Sequence, residues 1–134
     1  IFATVEPATG AEFALVLPTV STVTMSLFLD KFAETLAPGD HAVMVLDGAG
    51  WHQSKTFALP DNLRLIHLPP YSPELNPVEH LWDELREKSF HNRVFSSLDA
   101  LENHLEIALR EMELDPQRVH SITAWPWILN ALTN

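Results

Sequence analysis

Cysteine is absent from the 134 residues, which excludes disulfides, thiolate nucleophiles and cysteine-built metal sites. A fold that needs no disulfide suits a reducing compartment, and a cytoplasmic location is the expectation. No apolar run approaches the ~18 residues a membrane-spanning helix requires, and the opening residues carry no basic-then-apolar leader pattern. Basic residues are few. Eight Lys and Arg stand against eighteen Asp and Glu, for a formal net charge of −10. Affinity for a phosphate backbone is dominated by cationic contacts, so these residues alone should hold nucleic acid poorly. Glycine is scarce at four, and the ten prolines do not gather into a linker, repeat or low-complexity tract.

What is present describes one folded domain over residues 1–134. The chain is 46% hydrophobic and 19% charged, with mean hydropathy close to zero. IFATV (1–5) and Phe13–Leu17 read as two strands joined by a turn holding Pro7 and Gly10. Met25, Phe28, Leu29, Phe32 and Leu36 fall at helical spacing, so a helix is expected over 23–36, capped by Ser21 or Thr22. His41–Leu46 then supplies a third strand, and the helix between strands reads as a crossover in an α/β sheet. Ala42–Leu46 is continuously apolar, the pattern of a strand buried on both faces.

Farther on, 54–59 suits a short helix stopped by Pro60, and Leu63–His67 a fourth strand. A proline-punctuated loop over 69–77 follows. Asn76 is placed to cap a helix with Pro77 in its first turn and Val78, Leu81, Trp82 and Leu85 on its apolar face. Ser96, with Asp99 at capping-box distance, opens another helix to about Glu113. Pro116 and Trp125-Pro126-Trp127 break the tail, with a short helical piece over 128–132. The last third is therefore helical.

Two acids stand out by position. Asp47 ends the apolar strand 42–46, and open α/β sheets bind ligands at the carboxyl ends of their strands. Glu79 falls in the first turn of a helix. Two such carboxylates can share a hard divalent cation, which prefers oxygen ligands and keeps several waters. On pattern alone an ordinary reading is equally good: Asp47-Gly48 is a turn dipeptide, and Glu79 complements a helix N-terminus. His52 could orient a carboxylate, or simply cap the strand-end loop. Asp83, one turn after Glu79, could reach the same cation or face solvent. Tyr71 could stack on a base. The other histidines lack zinc-ligand spacing.

A resemblance adds to these readings. VLDGAGWHQSK, then LPPYSPELNPVEHLWDELRE, resembles the DDE-superfamily transposases, in particular the bacterial insertion-sequence enzymes of the Tc/mariner group. In those proteins a strand-end Asp is followed some thirty residues later by a Glu inside an SPxLNPxE motif. Here 31 residues separate Asp47 from Glu79, and Ser72-Pro73-Glu74-Leu75-Asn76-Pro77-Val78-Glu79 followed by Leu81-Trp82 is long and specific. The similarity runs from Ile1 to about Arg93.

The resemblance implies a ribonuclease-H-like mixed sheet flanked by helices, a Mg²⁺ or Mn²⁺ cofactor, and cleavage and joining of transposon DNA ends. Asp47 matches the second acid of the family's triad and Glu79 the third, which makes them the implied catalytic and metal-binding residues. The first acid belongs on a central strand preceding IFATV, so the chain reads as an N-terminally truncated catalytic domain with that strand missing. Gly48 stands where the family usually has Asn. In such a sheet the first strand lies between 1–5 and 41–46, and its loss leaves two strand edges open. Open edges recruit partners, so a homo-oligomer or exchanged strands are expected. DNA contact is expected through the full-length protein, and this chain alone is expected to be inactive.

Overall fold

Thr9 and Gly10 both donate backbone N–H groups to Glu6 O, closing the turn between β1 (Phe2–Glu6) and β2 (Ala11–Leu15). Gly10 adopts φ +77, the left-handed region that glycine enters without steric cost. This computed structural model describes residues 1–47 and 58–133. Helix α1 (Thr22–Glu34) follows, then β3 (Ala42–Leu46), β4 (Leu63–His67), a 3₁₀ turn Pro73–Leu75, and α2 (Val78–Leu85) running into a π-helical turn Arg86–Phe90. Helices α3 (Leu98–Glu113), α4 (Pro116–Thr123) and α5 (Pro126–Thr133) complete the chain. The short helix expected over 54–59 falls almost wholly outside the described residues.

The described strands form two separate two-stranded sheets, β1 with β2 and β3 with β4. β3 and β4 run parallel, Ala42 opposite Leu63 and Leu46 opposite His67. The residues fall into two compact units. One comprises Ile1–Phe2 and Leu17–Asn76, the other Ala3–Val16 and Pro77–Asn134.

In the first unit, Ser21 caps α1: its hydroxyl accepts from Thr24 N–H, and Thr24 Oγ1 accepts from Ser21 N–H. This reciprocal pair satisfies two donors that a helix start otherwise leaves unpaired. Met25, Phe28 and Leu29 of the expected stripe are buried and Ala33 joins them, while Phe32 and Leu36 are only half-buried. The Phe2 and Phe28 rings stack with centroids 5.7 Å apart. Asn62 Nδ2 donates to Ala33 O at 3.3 Å, tying the last turn of α1 to the start of β4.

The parallel pair departs from its sequence reading. Met44, Leu46 and Leu63 are buried, but Val43 is 62% exposed and Val45 45% exposed. β3 is therefore buried on one face, not two. A continuous apolar run shows that both faces are able to pack; it does not show that both are covered.

The second unit holds a core of Leu81 and Leu85 from α2, Ala108, Leu109 and Met112 from α3, and Val119 from α4. Val5, Ala14, Val16, Trp82, Phe90 and Leu105 pack against it. Each fully buried aliphatic side chain of this kind is worth about 2 kcal/mol relative to exposure. Several expected boundaries move. Ser97, not Ser96, caps α3, its hydroxyl accepting from Ala100 N–H at 3.1 Å, so Asp99 makes no capping box. Pro77, not Asn76, occupies the cap position of α2, without a side-chain capping bond. Pro116 and Pro126 each begin a helix where breaks were expected. Proline at the first helical position gives up only an N–H that has no intrahelical partner, and Asp115 caps α4 by accepting from Arg118 N–H.

Candidate active-site carboxylates

Asp47 directly follows β3, and the parallel ladder holds to its doorstep. Leu68 N–H donates to Leu46 O at 2.7 Å, one residue before the acid. Leu46 lies opposite His67, so both strands end on one rim and present Asp47 and His67 there. Asp47 is half-buried. The sequence places His67 at the end of its strand; that it shares a rim with Asp47 follows from the strand register. His52 and Gly48 lie outside the described residues.

The chain approaching Glu79 is built from turns. Ser72 Oγ donates to Pro70 O, and Leu75 and Asn76 N–H groups close the 3₁₀ turn onto Ser72 O and Pro73 O. Tyr71 takes φ +58 and is fully exposed, a backbone state that costs a non-glycine residue about 1 kcal/mol. His80 N–H then donates to Pro77 O at 3.1 Å as α2 begins. Glu79 is half-buried in the first turn, where unpaired N–H groups favour a carboxylate.

The rest of α2 is committed to other partners. Asp83 pairs with Arg86 on the exposed surface, which fits the solvent-facing reading of this acid. His80 stacks on Trp125 with ring centroids 4.2 Å apart. Glu84 accepts from Arg118. Leu81 and Leu85 are buried and Trp82 is half-buried against the core, as their spacing predicts. Among the described residues no group of three or more His, Asp or Glu side chains is placed to hold a metal ion. No described helix is long and apolar enough to cross a membrane.

One acid that sequence reasoning misses is Glu12. It is 9% exposed on β2, and its Oε1 has no hydrogen-bond partner. Burial first, and the Glu113 carboxylate second, push its pKa up to about 7. Nothing in the sequence marks it, since an isolated Glu in a strand is ordinarily solvated.

Comparison with known proteins agrees with the motif. The profile of the DDE superfamily endonucleases matches residues 1–102. The chain belongs to this family. It is also 39% identical over 127 residues to a Sinorhizobium fredii (strain NBRC 101917 / NGR234) protein described as uncharacterized protein y4pE/y4sA, a match spanning 95% of this chain and 94% of that one. No solved structure matches. The mixed α/β architecture of small sheets and helices is consistent with the ribonuclease-H-like fold of the family.

Proposed function

We propose that this chain is catalytic-domain material of a Tc/mariner-like insertion-sequence transposase, with Asp47 and Glu79 as its metal-binding carboxylates. The observation that carries the reading is the Ser72–Glu79 motif in its structural setting. A proline-built turn delivers Glu79 to the first turn of a helix, while Asp47 stands at the carboxyl end of a parallel strand pair. Rigid elements of this kind are what an acid needs if it is to hold an ion in fixed geometry.

The donor set suits Mg²⁺ or Mn²⁺, since both acids offer hard oxygen ligands. When bound, such an ion would activate water or a 3′-hydroxyl for in-line attack on a DNA phosphodiester. Asp47 and Glu79 would supply two of the three carboxylates the family uses. With two, the cation is held weakly, and these 134 residues are not expected to cleave or join DNA by themselves. The net charge of −10 points the same way, because contacts to a phosphate backbone are chiefly cationic.

Association of copies belongs to this reading. β3 pairs only with β4 among the described residues, and Val43, Val45 and Ile66 expose an apolar strip beside that ladder. Open edges and uncovered apolar faces favour a homo-oligomer or an exchange of strands. The acidic charge also favours a second reading, a non-enzymatic transposase remnant that persists as a folded oligomeric protein.

Mn²⁺ titration followed by electron paramagnetic resonance tests the site. Weak binding to the wild-type chain, lost in Asp47→Ala and in Glu79→Gln, is expected. Binding that survives both substitutions would sink the assignment. A strand-transfer assay on the chain extended upstream by a strand bearing the first acid separates the two readings: joined products indicate the enzyme, and none the remnant.

A further inference from the structure

Helix α2 is eight residues long, has no side-chain cap, and carries Glu79 in its first turn. Even with the π-helical turn that continues it, the helical stretch covers only residues 78–90. Isolated helices shorter than about 12–15 residues are marginal in water, so the direction of that first turn is set by what packs on it. Much of the packing comes from beyond residue 102, where the family match ends. Met112 and Val119 are fully buried against Leu81 and Leu85. Arg118 bonds Glu84 from α4. At the first turn itself, the Trp125 indole stacks on the His80 imidazole, centroids 4.2 Å apart and planes 27° apart. His80 is the residue next to Glu79. Trp125 occupies the short link between α4 and α5, held by Ala124 N–H donating to His120 O and by Ile128 and Leu129 N–H groups donating to Trp125 O.

We propose that Trp125 is a positioning residue, its stack on His80 fixing the first turn of α2 and with it the aim of the Glu79 carboxylate. The C-terminal helices thus serve the site as a brace. The proposal rests on Glu79 being a metal ligand, but the brace itself can be measured without metal.

Amide hydrogen exchange on the full chain reads the brace. Trp125→Ala should speed exchange at His80–Trp82 about tenfold, the scale of one lost aromatic pair with its burial, while Leu105–Met112 in α3 change by less than about twofold. Trp125→Phe should restore slow exchange. Folding is not at stake, because Trp125 is 44% exposed. Unchanged exchange at His80–Trp82, or equal acceleration in α3, overturns the proposal. Mn²⁺ titration then reads the aim: Trp125→Ala should weaken binding severalfold and Trp125→Phe should recover it. Full affinity in Trp125→Ala alongside loss in Glu79→Gln also overturns it. If the wild-type chain shows no binding that depends on Glu79, the metal-site reading falls, and with it the claim about aim; the exchange result then stands as a measure of the brace alone.

Discussion

Arg118 donates twice to a single oxygen, Glu84 Oε1, from Nε at 3.2 Å and from Nη2 at 3.1 Å. The pair joins α4 to α2, and its side chains are only 28% and 21% exposed. Solvent therefore competes less here than at Lys31–Glu34 or Asp83–Arg86, whose side chains are all more than half exposed. The distinction decides what each pair is worth.

Arg118→Ala should destabilise the chain by about 1–2 kcal/mol, since it strands a partly buried carboxylate. A double-mutant cycle with Glu84→Gln should give a coupling of about 1 kcal/mol. Asp83→Ala, at an exposed pair, should stay within about 0.5 kcal/mol of wild type. Denaturant unfolding measures all three. Equal costs for Arg118→Ala and Asp83→Ala would show that the α4–α2 bond contributes no more than a surface pair.

Two glycines should respond differently to the same added methyl. At Gly10 a Cβ would lie 1.8 Å from Pro116 O and 2.9 Å from His120 N, because the start of α4 packs onto the hairpin turn. His120 Nδ1, 2.8 Å from Pro7 O, fastens the same contact. Gly39 takes a similar backbone state, φ +86, but a Cβ there would have nothing within 4 Å. Gly39→Ala should therefore cost about 1 kcal/mol, for the backbone alone. Gly10→Ala should cost about 3 kcal/mol or more, because neighbouring backbone must also move. Thermal unfolding of the two variants checks the order, and equal losses would contradict the packing of α4 on the turn.

The candidate site is more legible in the sequence than its support is. Asp47 and Glu79 stand out because the motif fixes them at the end of a strand and the start of a helix, and both elements form where the pattern places them. Leu81 and Leu85 are legible from helical spacing, and the β4 boundaries from its alternation. Pro116 and Pro126 mislead because a proline stops one helix by the same property that lets it start the next; at Pro116 the Asp115 cap is what marks a start. Burial of β3 cannot be read from Ala42–Leu46, because coverage depends on what lies opposite. Glu12 is invisible for the same reason: its chemistry depends first on burial and second on Glu113 of α3, and both are set by what lies opposite it.

That buried carboxyl gives the chain a pH dependence near neutrality. The folded state raises the Glu12 pKa from 4.5 to about 7, through burial first and Glu113 second. Folding therefore tightens proton binding, so the associated stability is complete below about pH 4.5 and is lost as pH rises through about 7. Above that, keeping an ionised Glu12 buried costs about 3 kcal/mol relative to the protonated form. Glu12→Gln, neutral at every pH, should flatten this decline and be more stable than wild type at about pH 8, while the two differ little near pH 5. Glu113→Gln should move the midpoint of the decline to lower pH by removing the second cause alone. Urea unfolding at a series of pH values measures these shifts; a Glu12→Gln profile that runs parallel to wild type from about pH 5 to 8 would show that Glu12 ionises freely in the folded chain.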